Sequence, residues 1–158
     1  MAAAVQVGRP APDFTLEGTD GTPDGHREFT LSDYRGTPVV LVFYPGDDTP
    51  VCTRQLNAYT ADIDEFRALE AQVLAISPQS VASHDQFSDN QGGFAFPLLS
   101  DPDKQVGKQY GILGPVGFYR RSVFVVDGEG VVRHAHRAVA GLSFRPTSEL
   151  VDALKSAS

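Results

Sequence analysis

The most apolar run in the chain is Val39-Val40-Leu41-Val42-Phe43-Tyr44. It is too short to be a helix crossing a core, and it is rich in β-branched residues. That combination predicts a central strand buried on both faces. The period then changes. Leu56, Tyr59, Ile63, Phe66 and Leu69 recur at spacings of three and four, with Arg54, Asp62, Glu65 and Arg67 on the other face. This predicts an amphipathic helix from about Pro50 to Leu69. A second apolar strand follows at Ala71 to Ser77. Strand, helix and strand at this spacing form a βαβ unit with a right-handed crossover. The loop leaving the first strand then lies at the carboxyl end of the sheet, where open α/β folds place their sites.

Elsewhere the pattern is more broken. Phe14 and Leu16 alternate as one face of a short strand, after a stretch stiffened by Pro10 and Pro12. Gly18 to Glu28 reads as a polar loop, with His26 solvated in it, and Phe29-Thr30-Leu31 as a further short strand. Ser80 caps a helix through about Phe87 that carries an exposed His84 and closes at Asn90-Gln91-Gly92-Gly93. Asp101-Pro102-Asp103 opens a short helix with Val106 and Tyr110 one turn apart. The apolar loop Gly111 to Tyr119, with Ile112 and Phe118 near its ends, crosses the surface or lines a substrate entrance or an interface. Arg121 to Asp127 and Val131 to His136 form a hairpin about Asp127-Gly128-Glu129-Gly130. Pro146-Thr147-Ser148-Glu149 begins a last helix, with Leu150, Val151 and Leu154 facing inward.

Composition narrows the class. A chain of 158 residues suits a single α/β domain over 1–158. No stretch approaches the roughly 20 apolar residues of a membrane helix. The start, Met1-Ala2-Ala3-Ala4-Val5-Gln6-Val7, lacks the basic and apolar regions of a secretory signal. A net charge of −7 argues against a nucleic-acid surface. One cysteine excludes an internal disulfide framework and fits a reducing compartment, hence a cytoplasmic location.

That cysteine stands where chemistry is favoured. Thr49 is a preferred N-cap, Pro50 then falls at the first helical position, and Cys52 at the third. Backbone N–H groups without intrahelical partners and the positive end of the helix dipole favour a thiolate there. The Thr-x-x-Cys spacing also matches a capping box, which would bring the hydroxyl and the sulfur together. Asp47 and Asp48 oppose a thiolate. The reading requires both to be solvated and a cation to come from elsewhere. A lone cysteine is more often a small buried hydrophobe, so its position, not its presence, carries the inference. His134 and His136 share a strand face at the spacing of a metal-ligand pair, but nothing nearby completes a site, and no metal or cofactor is expected.

Pro45-x-x-x-Thr49-x-x-Cys52, after an apolar strand ending Phe-Tyr, resembles the active-site signature of the peroxiredoxins, nearest to the peroxiredoxin Q and one-cysteine branches. Gly8-x-x-Ala11-Pro12-x-Phe14-x-Leu16, Phe96-Pro97-Leu98-Leu99-Ser100-Asp101 and Arg121-Ser122-x-Phe124 extend the resemblance along most of the chain. It implies a thioredoxin-like fold with a central mixed sheet flanked by helices, and reduction of peroxides by the Cys52 thiolate. It further implies that Arg121 is the active-site cation, that Thr49 and Pro45 shape the pocket, and that Gln55 orients the arginine. Many peroxiredoxin Q relatives resolve the oxidised cysteine with a second one five residues on; Asn57 occupies that position here. The resemblance therefore implies a one-cysteine cycle completed by an external thiol or a thioredoxin- or glutaredoxin-like protein, in a monomer or homodimer. The alternative is a non-enzymatic redox sensor or interaction module on the same scaffold. A thiol–disulfide oxidoreductase would need Cys-x-x-Cys, and the chain has Cys52-Thr53-Arg54-Gln55.

Overall fold

A computed structural model describes residues 5–20, 23–47, 49–115, 117–137 and 144–157. Asp48, Val116 and residues 1–4 of the N-terminal stretch considered above lie outside the described residues. Seven strands form one mixed sheet: β1 (Thr15–Thr19), β2 (Arg27–Thr30), β3 (Val39–Phe43), β4 (Gln72–Ser77), β5 (Leu98–Ser100), β6 (Ser122–Val126) and β7 (Val132–Arg137). Their spatial order is β2-β1-β5-β4-β3-β6-β7. The central strands β3, β4 and β5 run parallel, while β6 and β7 on one side and β1 and β2 on the other are antiparallel. Among the described residues five α-helices accompany them: α1 (Pro50–Ala61), α2 (Ile63–Arg67), α3 (Val81–Asn90), α4 (Gln105–Gln109) and α5 (Thr147–Ala157).

Alternation along β3 divides the interior in two. Leu41 and Phe43 point into one apolar cluster, with Leu74, Ile76, Tyr110 and Phe124. Val40 and Val42 point into the other, with Leu56, Tyr59, Phe66, Phe87 and Leu150. All five residues of β3 are buried, as expected of a strand covered on both faces. Each such aliphatic or aromatic side chain contributes about 1.5–3 kcal/mol relative to leaving it in water.

Three sequence expectations change. The helix expected through Leu69 is two helices, broken at Asp62, whose N–H still reaches Ala58 O. The apolar spacing survives because Phe66 keeps its buried place after the break. The segment expected as a loop from Gly18 to Glu28 is largely strand at both ends. Gly18 pairs with Leu99 of β5 and Arg27 of β2, and a Cβ on it would stand 2.8 Å from Leu98 O. The glycine marks close strand approach, not a turn. His84, expected on a solvent face, is fully buried.

Candidate active site around Cys52

The end of β3 and the start of α1 form the site. Thr49 is extended (φ −87°, ψ 150°) and Pro50 opens the helix, as the sequence predicts. The first intrahelical bond runs from Thr53 N–H to Thr49 O at 2.9 Å, so the N–H groups of Val51 and Cys52 precede it. The capping box does not form. Thr49 Oγ1 donates to Gly46 O at 3.1 Å and gives α1 no side-chain cap. Thr49 and Pro45 are both exposed, whereas Cys52 is 0% exposed and packs into the cluster of Val42, Tyr44 and Leu56.

Arg121, the residue before β6, reaches this thiol. Its Nη2 donates to Cys52 Sγ at 3.2 Å, and its Nη1 donates to Gln55 Oε1 at 2.6 Å. One fork thus spans the third and sixth residues of α1. β3 and β6 pair with Phe43 opposite Ser122, which brings Arg121 to the end of β3 where α1 begins. Arg120 takes the opposite side, its side chain near Gly114. The adjacent arginines therefore divide as strand alternation predicts.

Gln55 is held in turn. Its Nε2 donates to Tyr59 OH at 3.4 Å, and Tyr59 OH donates to Arg145 O at 2.6 Å, just before α5. Burial pushes the Tyr59 hydroxyl up to about 12. A small cleft lined by Gln55, Arg121, Ser122, His136, Phe144 and Arg145 lies against the guanidinium.

On the other side of the loop, the expectation that Asp47 is solvated is wrong. Its side chain is 2% exposed. It accepts from Tyr44 OH and from Ser83 Oγ, each at 2.7 Å, and lies 2.7 Å from His84 Nδ1. His84 Nε2 lies 2.9 Å from Leu99 O. The Asp47 N–H donates to Gln79 Oε1. Gly46 admits that contact, since a Cβ there would stand 3.0 Å from Gln79 Oε1. Burial, and then the Asp47 carboxylate, hold the Tyr44 hydroxyl well above its ordinary range, and a charge on Cys52 acts in the same direction.

Sequence reasoning overlooked Tyr44, Gln79, Ser83 and His84. One signal was available: Val81, His84, Phe87 and Ser88 fall at helical spacings of three and four, so His84 shares the stripe of a buried Phe87. His134 pairs with Glu149 at 3.3 Å. His26 pairs with Asp85 at 2.6 Å and is about half exposed.

A mixed sheet whose first long helix opens on a buried thiol fits the class of thiol-dependent peroxidases, and the comparisons with known proteins place the chain there. The chain belongs to the AhpC/TSA family, whose model matches residues 7–135. It is 35% identical over 159 residues to the chloroplastic peroxiredoxin Q of Oryza sativa subsp. japonica, covering 98% of this chain and 68% of the relative. It is 36% identical over 159 residues to peroxiredoxin-1 of Gallus gallus, covering 94% and 79%. Among solved structures, the reduced 2-Cys peroxiredoxin of Plasmodium vivax superposes with a TM-score of 0.86 at 28% identity, covering 94% of this chain and 80% of that one. The single Cys52 fits a one-cysteine peroxiredoxin. No helix among the described residues is long and apolar enough to cross a membrane.

Proposed function

We propose that Cys52 is the nucleophile that reduces hydrogen peroxide or an organic hydroperoxide, and that Arg121, Thr49, Pro45 and Gln55 form its site. The observation that carries this reading is the 3.2 Å hydrogen bond from Arg121 to the Cys52 sulfur. The guanidinium stabilises the thiolate before attack. Sulfur attacks the outer peroxide oxygen, a sulfur–oxygen bond forms, and the O–O bond breaks. The other oxygen leaves with the electron pair and takes a proton, giving water or an alcohol. Negative charge grows on both oxygens as they separate, and Arg121 with the N–H groups of the first α1 turn stabilises that charge more than the ground state. Thr49 spends its hydrogen on Gly46 O, which leaves its oxygen to accept a peroxide O–H. Pro45 shapes the exposed side of the loop. Gln55 holds the guanidinium.

Cys52 sulfenic acid is the product. An outside thiol attacks it to give a mixed disulfide and water, and a second thiol frees Cys52. The reductant is a low-molecular-weight thiol or a thioredoxin- or glutaredoxin-like protein, in the cytoplasm, and the working form is a monomer or homodimer. Mass spectrometry of the protein after one equivalent of peroxide tests the first step. The expected result is a single added oxygen on Cys52; peroxide consumption with Cys52 still a free thiol sinks it. Turnover with a panel of thiol reductants tests the second step. A Cys52 that oxidises once and is recycled by none of them would support the redox-sensor alternative instead.

A further inference from the structure

The polar contacts behind Arg121 run in one direction only. A guanidinium donates and never accepts, so the atom of Gln55 that faces Nη1 is the carbonyl oxygen Oε1, at 2.6 Å. The amide nitrogen Nε2 then faces the other way, toward Tyr59 OH at 3.4 Å. Tyr59 donates its one hydroxyl hydrogen to Arg145 O, a carbonyl that only accepts, at 2.6 Å. Its oxygen keeps lone pairs for Gln55. An obligate donor at one end and an obligate acceptor at the other thus fix the sense of every bond between them.

The reversed arrangement is unfavourable for a definite reason. Turning the Gln55 amide over would set its NH2 against the guanidinium, and its oxygen against a hydroxyl whose hydrogen is already committed. Two polar contacts would be lost where Gln55 and Tyr59 are both fully buried. The hydroxyl is itself firmly placed. Gln55 and Tyr59 stand four apart on α1, on one face of the helix. Phe66 and Phe144 hold the Tyr59 ring edge-on, with centroids 6.1 and 5.9 Å away. The guanidinium of Arg145 turns to Glu149, with Nε donating to Oε2 at 2.8 Å, so it is the Arg145 carbonyl and not its charge that joins the chain of contacts.

We infer that Tyr59 is a positioning residue for the chemistry at Cys52: its hydroxyl holds the Gln55 amide with Oε1 toward Arg121, and so keeps the guanidinium aimed at the sulfur. The inference rests on Cys52 being the nucleophile of the proposed peroxidase. Its test compares an amide, whose two ends differ, with a carboxylate, whose two ends are alike and need no orienting. Tyr59→Phe keeps the ring and removes only the hydroxyl. Single-turnover oxidation of Cys52 by hydrogen peroxide is followed by stopped flow in the full-length protein. Tyr59→Phe is expected to slow it by about threefold to tenfold, the range for the net loss of one hydrogen bond. In the Gln55→Glu background the same change is expected to stay within about twofold of Gln55→Glu alone.

A role confined to bracing α1 against the segment before α5 would cost the same factor in both backgrounds, since Arg145 O loses its donor in each. The inference is overturned by a loss below about threefold in the parent background, or by one above about twofold in the Gln55→Glu background. Nuclear magnetic resonance of the parent protein gives a second readout, one that does not depend on any variant folding. The side-chain NH2 protons of Gln55 should show a nuclear Overhauser contact with the Tyr59 ring. Absence of that contact also overturns the inference. A parent protein whose Cys52 does not oxidise in peroxide would sink the peroxidase reading and leave the Overhauser contact in place.

Discussion

Arg121 and Cys52 stand 69 positions apart in the chain, and the guanidinium of one lies 3.2 Å from the sulfur of the other. The contact depends on the antiparallel pairing of β3 with β6, because Arg121 adjoins the end of that ladder from which the chain leads on to Cys52 in α1. A planar fork is what lets one side chain serve both Cys52 and Gln55. Lysine has a single nitrogen and cannot span the two. Arg121→Lys is therefore expected to slow single-turnover oxidation of Cys52 by about a hundredfold, the effect of removing one donor aimed at developing charge. Stopped-flow measurement of peroxide consumption, with reductant absent, reads this directly. A variant within threefold of the parent would show that charge alone suffices.

Gln55 bears on Arg121 and not on the sulfur. Gln55→Leu fills much of the same volume but removes the acceptor that Oε1 offers Nη1. Losing a hydrogen bond to a charged group costs about 1.5–3 kcal/mol. Peroxide reactivity should fall about tenfold or more, because the guanidinium is no longer held in register. Gln55→Glu keeps an acceptor for Nη1 and should recover most of the rate. Equal losses in both variants would mean that Gln55 acts by packing.

The tyrosines give the pH dependence. Burial raises the hydroxyl of Tyr59 to about 12. It also raises those of Tyr44, Tyr110 and Tyr119, with Asp47 adding at Tyr44, Asp13 at Tyr110 and Asp101 at Tyr119. A folded-state value above the unfolded one means that the folded chain keeps protons the unfolded chain releases. Stability from these groups is complete below about pH 10 and is lost as pH rises above it. Absorbance of tyrosinate and far-ultraviolet dichroism, followed together from pH 8 to 12.5, should show these four side chains ionising in one step with unfolding. Ionisation of all four before any loss of secondary structure would contradict this.

Gly107 in α4 lies beneath the ring of Tyr119, and a Cβ there would stand 2.6 Å from Cε1. The ring is held from the far side as well, since its hydroxyl donates to the buried Asp101. Gly107→Ala should therefore destabilise by about 1–3 kcal/mol, despite the better helix propensity of alanine. Urea denaturation checks the sign. A gain in stability would show that Tyr119 yields easily.

Much of this arrangement is legible in the sequence, for identifiable reasons. β3 announces itself by the unbroken apolar run Val39 to Tyr44, and the α1 opening by Thr49-Pro50. Arg121 was legible only through the spacing of its neighbours, since a strand-edge arginine alone reads as a surface charge. The Asp47 and His84 pair was not legible. Aspartate in a Gly-Asp-Asp loop reads as solvated, and histidine on a short helix reads as exposed. What buries them is the meeting of β3, the loop, α3 and β5, the first and last of which are more than fifty residues apart in the chain. Gly18 misled for a related reason: glycine signals both turns and close approach, and only the neighbouring strand β5 shows which.

The complete burial of Cys52 has one further consequence. Its sulfur shares a cluster with Val42, Tyr44 and Leu56, in an interior packed as densely as an organic crystal. An oxygen added to that sulfur is a small-to-large substitution made by the reaction itself. Overpacking of this kind costs about 1–3 kcal/mol, which for a chain of this size lowers the melting temperature by several degrees. Calorimetry of reduced and peroxide-treated protein should resolve two transitions, the oxidised one lower. Heat tolerance then reports the oxidation state of a single atom.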